Sequence, residues 1–288
     1  MKRKIIPLKE LPLKNDFMFG QVMRNPEICK LFLEELLGVE IERIEYIEQQ
    51  KGIQDSYANH GIRLDIYLRD SANTVYAIEM QTTRKGELEL RVRYYQGTID
   101  RKELLKGSPY SELSESYVIF ICDFDYFGTG LAVNKRVSHI EGTDREYNDG
   151  SHVIFLNSRY VTGNAGHAIT EYLDYMRTNN DSGDYQTELL HKTVRKVQEV
   201  RDDERMEVPY MMWELKYQDA MAEGRAEGRA EGRAEGRMEG QVEGRMEATL
   251  SAIRNMIEAL HLPVEQAMAV LKVPESDRPK YIALLEKS

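Results

Sequence analysis

Two acidic residues stand where strand positions would ordinarily be apolar. Asp65 lies between Leu64 and Ile66, and Glu79 between Ile78 and Met80. Residues 62–69 and 74–81 alternate apolar and polar side chains, the period of two that sends neighbours to opposite faces of a sheet. Ser71, Ala72 and Asn73 separate them, a short polar break of the kind that closes a hairpin. A carboxylate among apolar neighbours is costly to bury unless something pairs with it. A divalent cation makes two such carboxylates favourable together. Gln81, two residues beyond Glu79, projects to the same face, so Asp65 from one strand and Glu-x-Gln from the next can converge on one point. That suits a hard, oxygen-preferring ion such as Mg²⁺. A solvated sheet face, with Asp65 and Glu79 opposite Arg63 or Arg84, has the same spacing. Spacing alone does not choose between them.

The surrounding pattern predicts what holds these residues. Residues 13–38 read as two helices, the first capped by Asn15 or Asp16, the second starting at Asn25-Pro26 and stopped by Gly38. A strand over 41–47 follows, then a polar connection over 50–60 containing Asp55 and His60, with His60 expected in a loop role. After the hairpin comes a helix over 88–106. The apolar run 117–122 predicts a strand buried on both faces, with Asp123 and Asp125 as turn formers beyond it. Further strands are expected over 136–140 and 152–156, and helices over 167–176 and 188–217. The core order is helix, three strands, helix, strand.

Asp65, followed by Glu79-Met80-Gln81 in a hairpin and then a helix, resembles the PD-(D/E)XK nuclease signature. More narrowly it is similar to the recombination-promoting nuclease family, which also carries a transposase label. Lys14-Asn-Asp-Phe-Met-Phe19, Arg91-Val-Arg-Tyr-Tyr95 and the run from Tyr117 to Asp125 support the narrower match, which covers roughly residues 10–160 and more loosely the tail. The resemblance implies an α/β fold with a restriction-endonuclease-like αβββαβ core and a helical C-terminal extension. It implies a metal-dependent DNA endonuclease linked to recombination or mobile elements. Asp65 and Glu79 would hold Mg²⁺, with Mn²⁺ as a substitute. Asp16 would add a third ligand, as a first-helix acid does in some branches; a helix cap accounts for it equally. Gln81 stands where the superfamily has lysine, and can orient a water only by hydrogen bonds. The narrower family accepts glutamine there. Arg84 and Arg91 are the candidate DNA contacts.

Bulk properties bound the rest. The chain has 288 residues and a net charge of −10, which argues against a general nucleic-acid coat. Charge is local, however: residues 84–106 hold seven basic and four acidic side chains, +3 beside the candidate site. A solvated helix face would look the same. The basic start is interrupted by Lys9 and Glu10 and does not read as a signal peptide. No run approaches the roughly 18 apolar residues of a membrane span. With Cys29 and Cys122 expected as buried thiols, the expectation is a cytoplasmic protein with no membrane partner. Four segments are expected: a nuclease-like domain over 1–178, a helical extension over 179–220, a repeat over 221–247 and a small helical tail over 248–288. The repeat, Glu-Gly-Arg at period four, reads equally as flexible linker or as a helix through which chains form homo-oligomers. The competing functional reading is a nuclease fold that no longer cleaves and acts through this tail.

Overall fold

The computed structural model describes residues 5–53, 62–84 and 86–285. Asp55 and His60 lie outside the described residues. The chain divides into two units, Met1–Trp213 and Glu214–Ser288.

The first unit opens with α1 (Asp16–Met23) and α2 (Pro26–Leu37). Asn15 caps α1 by accepting a hydrogen bond from the Phe17 amide, and so Asp16 is the first helical residue and not the cap. Asn25 caps α2 through the Glu27 and Ile28 amides, and Gly38 ends it in the left-handed region at φ 72°. Three strands follow: β1 (Ile44–Ile53), β2 (Ile62–Asp70) and β3 (Val75–Gln81). Asp70 Oδ1 accepts from the Ala72 and Thr74 amides, each at 2.9 Å, which closes the β2–β3 turn with Asn73 at φ 66°. Then come α3 (Leu88–Glu103), β4 (Ser116–Cys122), β5 (Val133–Lys135), β6 (Ser151–Asn157), α4 (His167–Thr178) and α5 (Glu188–Asp202).

The six strands form one mixed sheet in the order β1-β2-β3-β4-β6-β5. β1, β2 and β3 are an antiparallel meander, while β3, β4 and β6 run parallel. The parallel crossover from β3 to β4 is made by α3, as parallel pairing requires. One sheet face, with Ile66, Ile78 and Ile119, packs in a core with residues of α1, α2, α4 and α5. The other, with Ala77, Val118, Phe120 and Cys122, packs under Leu88, Val92, Tyr95 and Ile99 of α3. β4 is thus covered on both sides, in keeping with its unbroken apolar run. Both cysteines are free and buried, and burial pushes the Cys122 thiol up to about 12.

Three expected elements differ. The strand expected over 41–47 starts at Ile44 and runs to Ile53, into the connection expected over 50–60, because β2 pairs with it as far as Ile53 opposite Ile62. In place of the strand expected over 136–140 the structure has the three residues of β5, with the Asn164 side chain bonded to both the N–H and the C=O of Val133. Beyond β5, only an isolated bridge between His139 and Glu146 remains. The helix expected over 188–217 breaks at Asp203, whose side chain accepts from the Arg205 amide to start a short 3₁₀ turn. It restarts as α6 (Glu207–Leu260), with Pro209 in the first turn, where its missing N–H costs nothing. Phe17 packs against Tyr210 and Trp213 of α6, ring centroids 5.3 and 6.1 Å apart.

In the second unit the Glu-Gly-Arg repeat is helical, and its glycines have no neighbour within 4 Å of a Cβ position. A small core of Ile253, Ala267, Met268 and Val273 joins the end of α6 to α7 (Val264–Val270), with Tyr281 and Ile282 of α8 (Arg278–Leu285) against it. Among the described residues no helix is long and apolar enough to cross a membrane.

Arg201 on α5 ties the first unit together. Its side chain is 8% exposed, donates to the Leu11 carbonyl from Nε and Nη2 at 3.1 and 2.9 Å, reaches Asn179 and pairs with Asp181. Replacing it leaves buried acceptors without a donor, so Arg201→Met is expected to cost about 3 kcal/mol. That corresponds to roughly 6–12 °C in the melting temperature, measured by calorimetry of the full chain. A shift under roughly 2 °C would show that the carbonyl finds another donor.

Candidate active site

The β2–β3 ladder pairs Arg69 with Val75, Leu68 with Tyr76, Tyr67 with Ala77 and Ile66 with Ile78, and then stops. One position further on, carboxylates take the place of backbone carbonyls. The Asp65 amide donates to Glu79 Oε1 at 3.0 Å, and the Met80 amide donates to Asp65 Oδ2 at 2.9 Å. Each acid therefore braces the other's strand. β3 meanwhile continues beside β4 through Gln81, whose carbonyl accepts from the Asp123 amide at 3.0 Å. The site sits at this fork, where β2 parts from β3.

Glu79 is only 4% exposed. Its pKa lies well above the ordinary carboxylate value, first because of burial and then because of the neighbouring Asp65 charge, with Asp16 adding to the rise. The Asp65 amide and the Arg91 charge pull the other way. Tyr95 is likewise raised by burial and by Glu79.

Arg91, in the first turn of α3, reaches this point. Nη1 donates to Gln81 Oε1 at 2.9 Å, while Nη2 donates to the Tyr95 hydroxyl at 2.9 Å and stands 3.5 Å from Glu79 Oε2. The guanidinium carbon lies 5.4 Å from the Tyr95 ring centre and 5.2 Å from that of Phe120. Gln81, 8% exposed, also donates from Nε2 to the Thr83 carbonyl at 2.6 Å. Its amide is thus bonded at both ends, with one lone pair and one N–H left over.

Glu79, Gln81, Asp65 and Arg91 are accordingly brought together. Asp16 is within electrostatic reach of Glu79. Arg84 is exposed on the loop after β3, where its Nη2 donates to the Tyr126 carbonyl at 3.2 Å. Among the described residues, no group of three or more His, Cys, Asp or Glu side chains is placed to hold a metal ion. The donor chemistry nevertheless fits a divalent cation. Glu79 is deeply buried and Asp65 carries a second hard carboxylate beside it, and Mg²⁺ is commonly held by one or two carboxylates with water and substrate phosphate completing its shell.

Of the two turn formers expected from the sequence, Asp125 is one: its carboxylate accepts from the Gly128 and Gly130 amides. Asp123 instead gathers charge beside the site, accepting from Lys14 Nζ at 2.7 Å, Ser158 Oγ at 2.9 Å and Arg159 Nε at 3.1 Å. Burial pushes its pKa up, but the bonds from Lys14 and Ser158 and the charges of Lys14 and Arg159 outweigh this and hold it below the usual value. Lys14 was visible only as part of the stretch 14–19; nothing local announced its partner 109 residues away.

A family model for the PD-(D/E)XK nuclease family transposase matches residues 13–220, which contain every residue of this site. The chain belongs to that family. The mixed sheet with α3 between β3 and β4 is its restriction-endonuclease-like core. Nucleases of the PD-(D/E)XK type usually work with divalent metals. Comparison with curated proteins gave no match, and comparison with solved structures gave none.

The raised pKa of Glu79 has a definite sign. With a folded-state value above the unfolded one, Glu79 stabilises the metal-free fold only while protonated, and that contribution is lost as pH rises through the folded value. In EDTA, Glu79→Gln is therefore expected to melt a few degrees above the natural chain at pH 8. The gap should close as pH falls toward the ordinary value of 4.5. Equal melting at pH 8 would mean that Arg91 already neutralises the site.

Proposed function

We propose that the chain is a Mg²⁺-dependent DNA endonuclease, with Mn²⁺ as a substitute, acting in recombination or on mobile elements. The observation that carries this is the buried Glu79 carboxylate, braced by Asp65 at the β2–β3 fork with an arginine over it. Asp65 and Glu79 would hold the cation, and Asp16 would add negative charge from α1. What a divalent cation supplies there is a water of lowered pKa and neutralised charge on the phosphate oxygens. Gln81 keeps its remaining amide valences for that water. Arg84, exposed on the adjoining loop, would contact a DNA phosphate away from the scissile one.

The test is nicking of supercoiled plasmid with Mg²⁺ or Mn²⁺. The natural chain should cut, and Asp65→Ala and Glu79→Ala should each lose at least about a hundredfold in rate. Equal cutting by all three would place the activity elsewhere. A folded natural chain that never cuts would favour the reading of a nuclease fold acting only through its tail.

We also propose that chains associate through α6. Within each repeat Glu and Arg are two residues apart, hence about 200° around a helix. They cannot meet at the i, i+3 or i, i+4 spacing of helical ion pairs. A second helix is what would bring opposite charges together. Sedimentation velocity should show a dimer or larger species near 0.1 M salt that weakens at 1 M. A monomer in both conditions would remove the proposal.

A further inference from the structure

The feature the nuclease reading leaves unexplained is the double engagement of Gln81. A glutamine with no task but to orient a solvent molecule has no need of an arginine on its oxygen and a backbone carbonyl on its nitrogen. Here Nε2 is fixed to the Thr83 carbonyl, which aims Oε1 at Arg91. The guanidinium is held at three further points, by the Tyr95 hydroxyl, by Glu79 Oε2, and over the Tyr95 and Phe120 rings. It is held and still accessible: the Arg91 side chain is 32% exposed, while that of Glu79 is 5% exposed. Its open side faces a surface groove of about 720 Å³ lined by Leu90, Arg93, Tyr94, Gly97 and Arg101. A cation serving only to neutralise Glu79 would gain from full burial beside it. A cation meant for a ligand has to keep one edge in the groove.

Resting on the nuclease reading above, we infer that Gln81 is a positioning residue for Arg91, and that Arg91 supplies from α3 the fixed positive charge that stabilises the scissile phosphate. The chain would thus have moved its phosphate-directed cation from the strand to the helix, with the glutamine on the strand serving as its bracket. Guanidinium geometry suits this role. Two N–H groups are spent on Gln81 and Tyr95, and a planar fork has further donors for phosphate oxygens. Arg93 and Arg101 on the same groove would contact the strand further along it from that phosphate.

The experiment uses the full chain and four proteins: natural, Gln81→Met, Arg91→Met, and the double variant Arg91→Met with Gln81→Lys. Cleavage of a defined duplex with Mg²⁺ is followed as kcat and KM separately. Binding of the same duplex is measured with Ca²⁺ in place of Mg²⁺ over a range of salt. Gln81→Met leaves the Arg91 charge in place near Glu79, and its kcat should fall about tenfold with KM within about twofold. Arg91→Met should lose about a hundredfold or more in kcat, and its slope of log affinity against log salt should shrink by about one. A lysine at 81 in the double variant should return at least tenfold of the lost rate and restore the slope. Unchanged kcat in Gln81→Met, or a double variant no faster than Arg91→Met, overturns the inference while the Asp65 and Glu79 variants still uphold the nuclease reading. A natural chain that binds without cutting ends the nuclease reading, and the salt slopes then decide: a slope unaffected by Arg91→Met overturns the inference as well. A natural chain that does not bind DNA at all overturns both.

Discussion

Everything around the site answers one electrostatic problem, the burial of Glu79 beside Asp65. Two like charges in a poorly solvated place are unfavourable unless hydrogen-bond donors and cations surround them. The chain meets this with backbone first: the amides of Asp65 and Met80 turn toward the carboxylates where the β2–β3 ladder would otherwise run on. This works because β2 is released from β3 while β3 stays bonded to β4 as far as Gln81. The sheet yields on one side of a strand and holds on the other. The local loss of ladder bonds is what lets the two carboxylates accept from the Asp65 and Met80 amides.

The second answer is α3. A parallel crossover must cover the sheet face, and this helix does so with Leu88, Val92, Tyr95 and Ile99. Packing that fixes the helix also fixes Arg91, one residue before Val92, over the fork. Site and core are therefore not separate achievements: the contact of Tyr95 with Phe120, ring centroids 6.3 Å apart, both closes the core and floors the guanidinium. On the neighbouring strand ends, Asp123 collects Lys14, Ser158 and Arg159, and draws the segment before α1 to the same edge of the sheet.

How much of this could be read from the sequence follows from the range of the interactions. The hairpin, the doubly buried β4 and the caps at Asn25 and Gly38 were legible because period, apolar run and capping chemistry are local. Asp65 and Glu79 were legible as anomalies, polar residues that break an otherwise apolar pattern. The shared face of Glu79 and Gln81 followed from the period of two, and both indeed meet Arg91. What failed was decided at longer range or by a single residue. The strand expected over 136–140 is displaced to Val133–Lys135, where the Val133 backbone is bonded by Asn164, 31 residues away. The long helix over 188–217 was interrupted because Pro209 and the Asp203 turn outweigh its apolar periodicity. The bracket between Gln81 and Arg91 depends on how α3 docks, which no spacing within the strand reveals.

The repeat in α6 has a geometric consequence of its own. Each four-residue unit advances a helix by about 6 Å and turns it by about 400°, leaving a net rotation of about 40°. A Cβ at its glycines would meet nothing within 4 Å, so within the chain the glycine column does not fix how many units there must be. Gain or loss of a unit would leave the helix intact while carrying every later residue one fixed step along the axis and one fixed turn around it. The repeat count is thus a ruler and a dial at once, graduated in whole units, and a change of count resets reach and facing together.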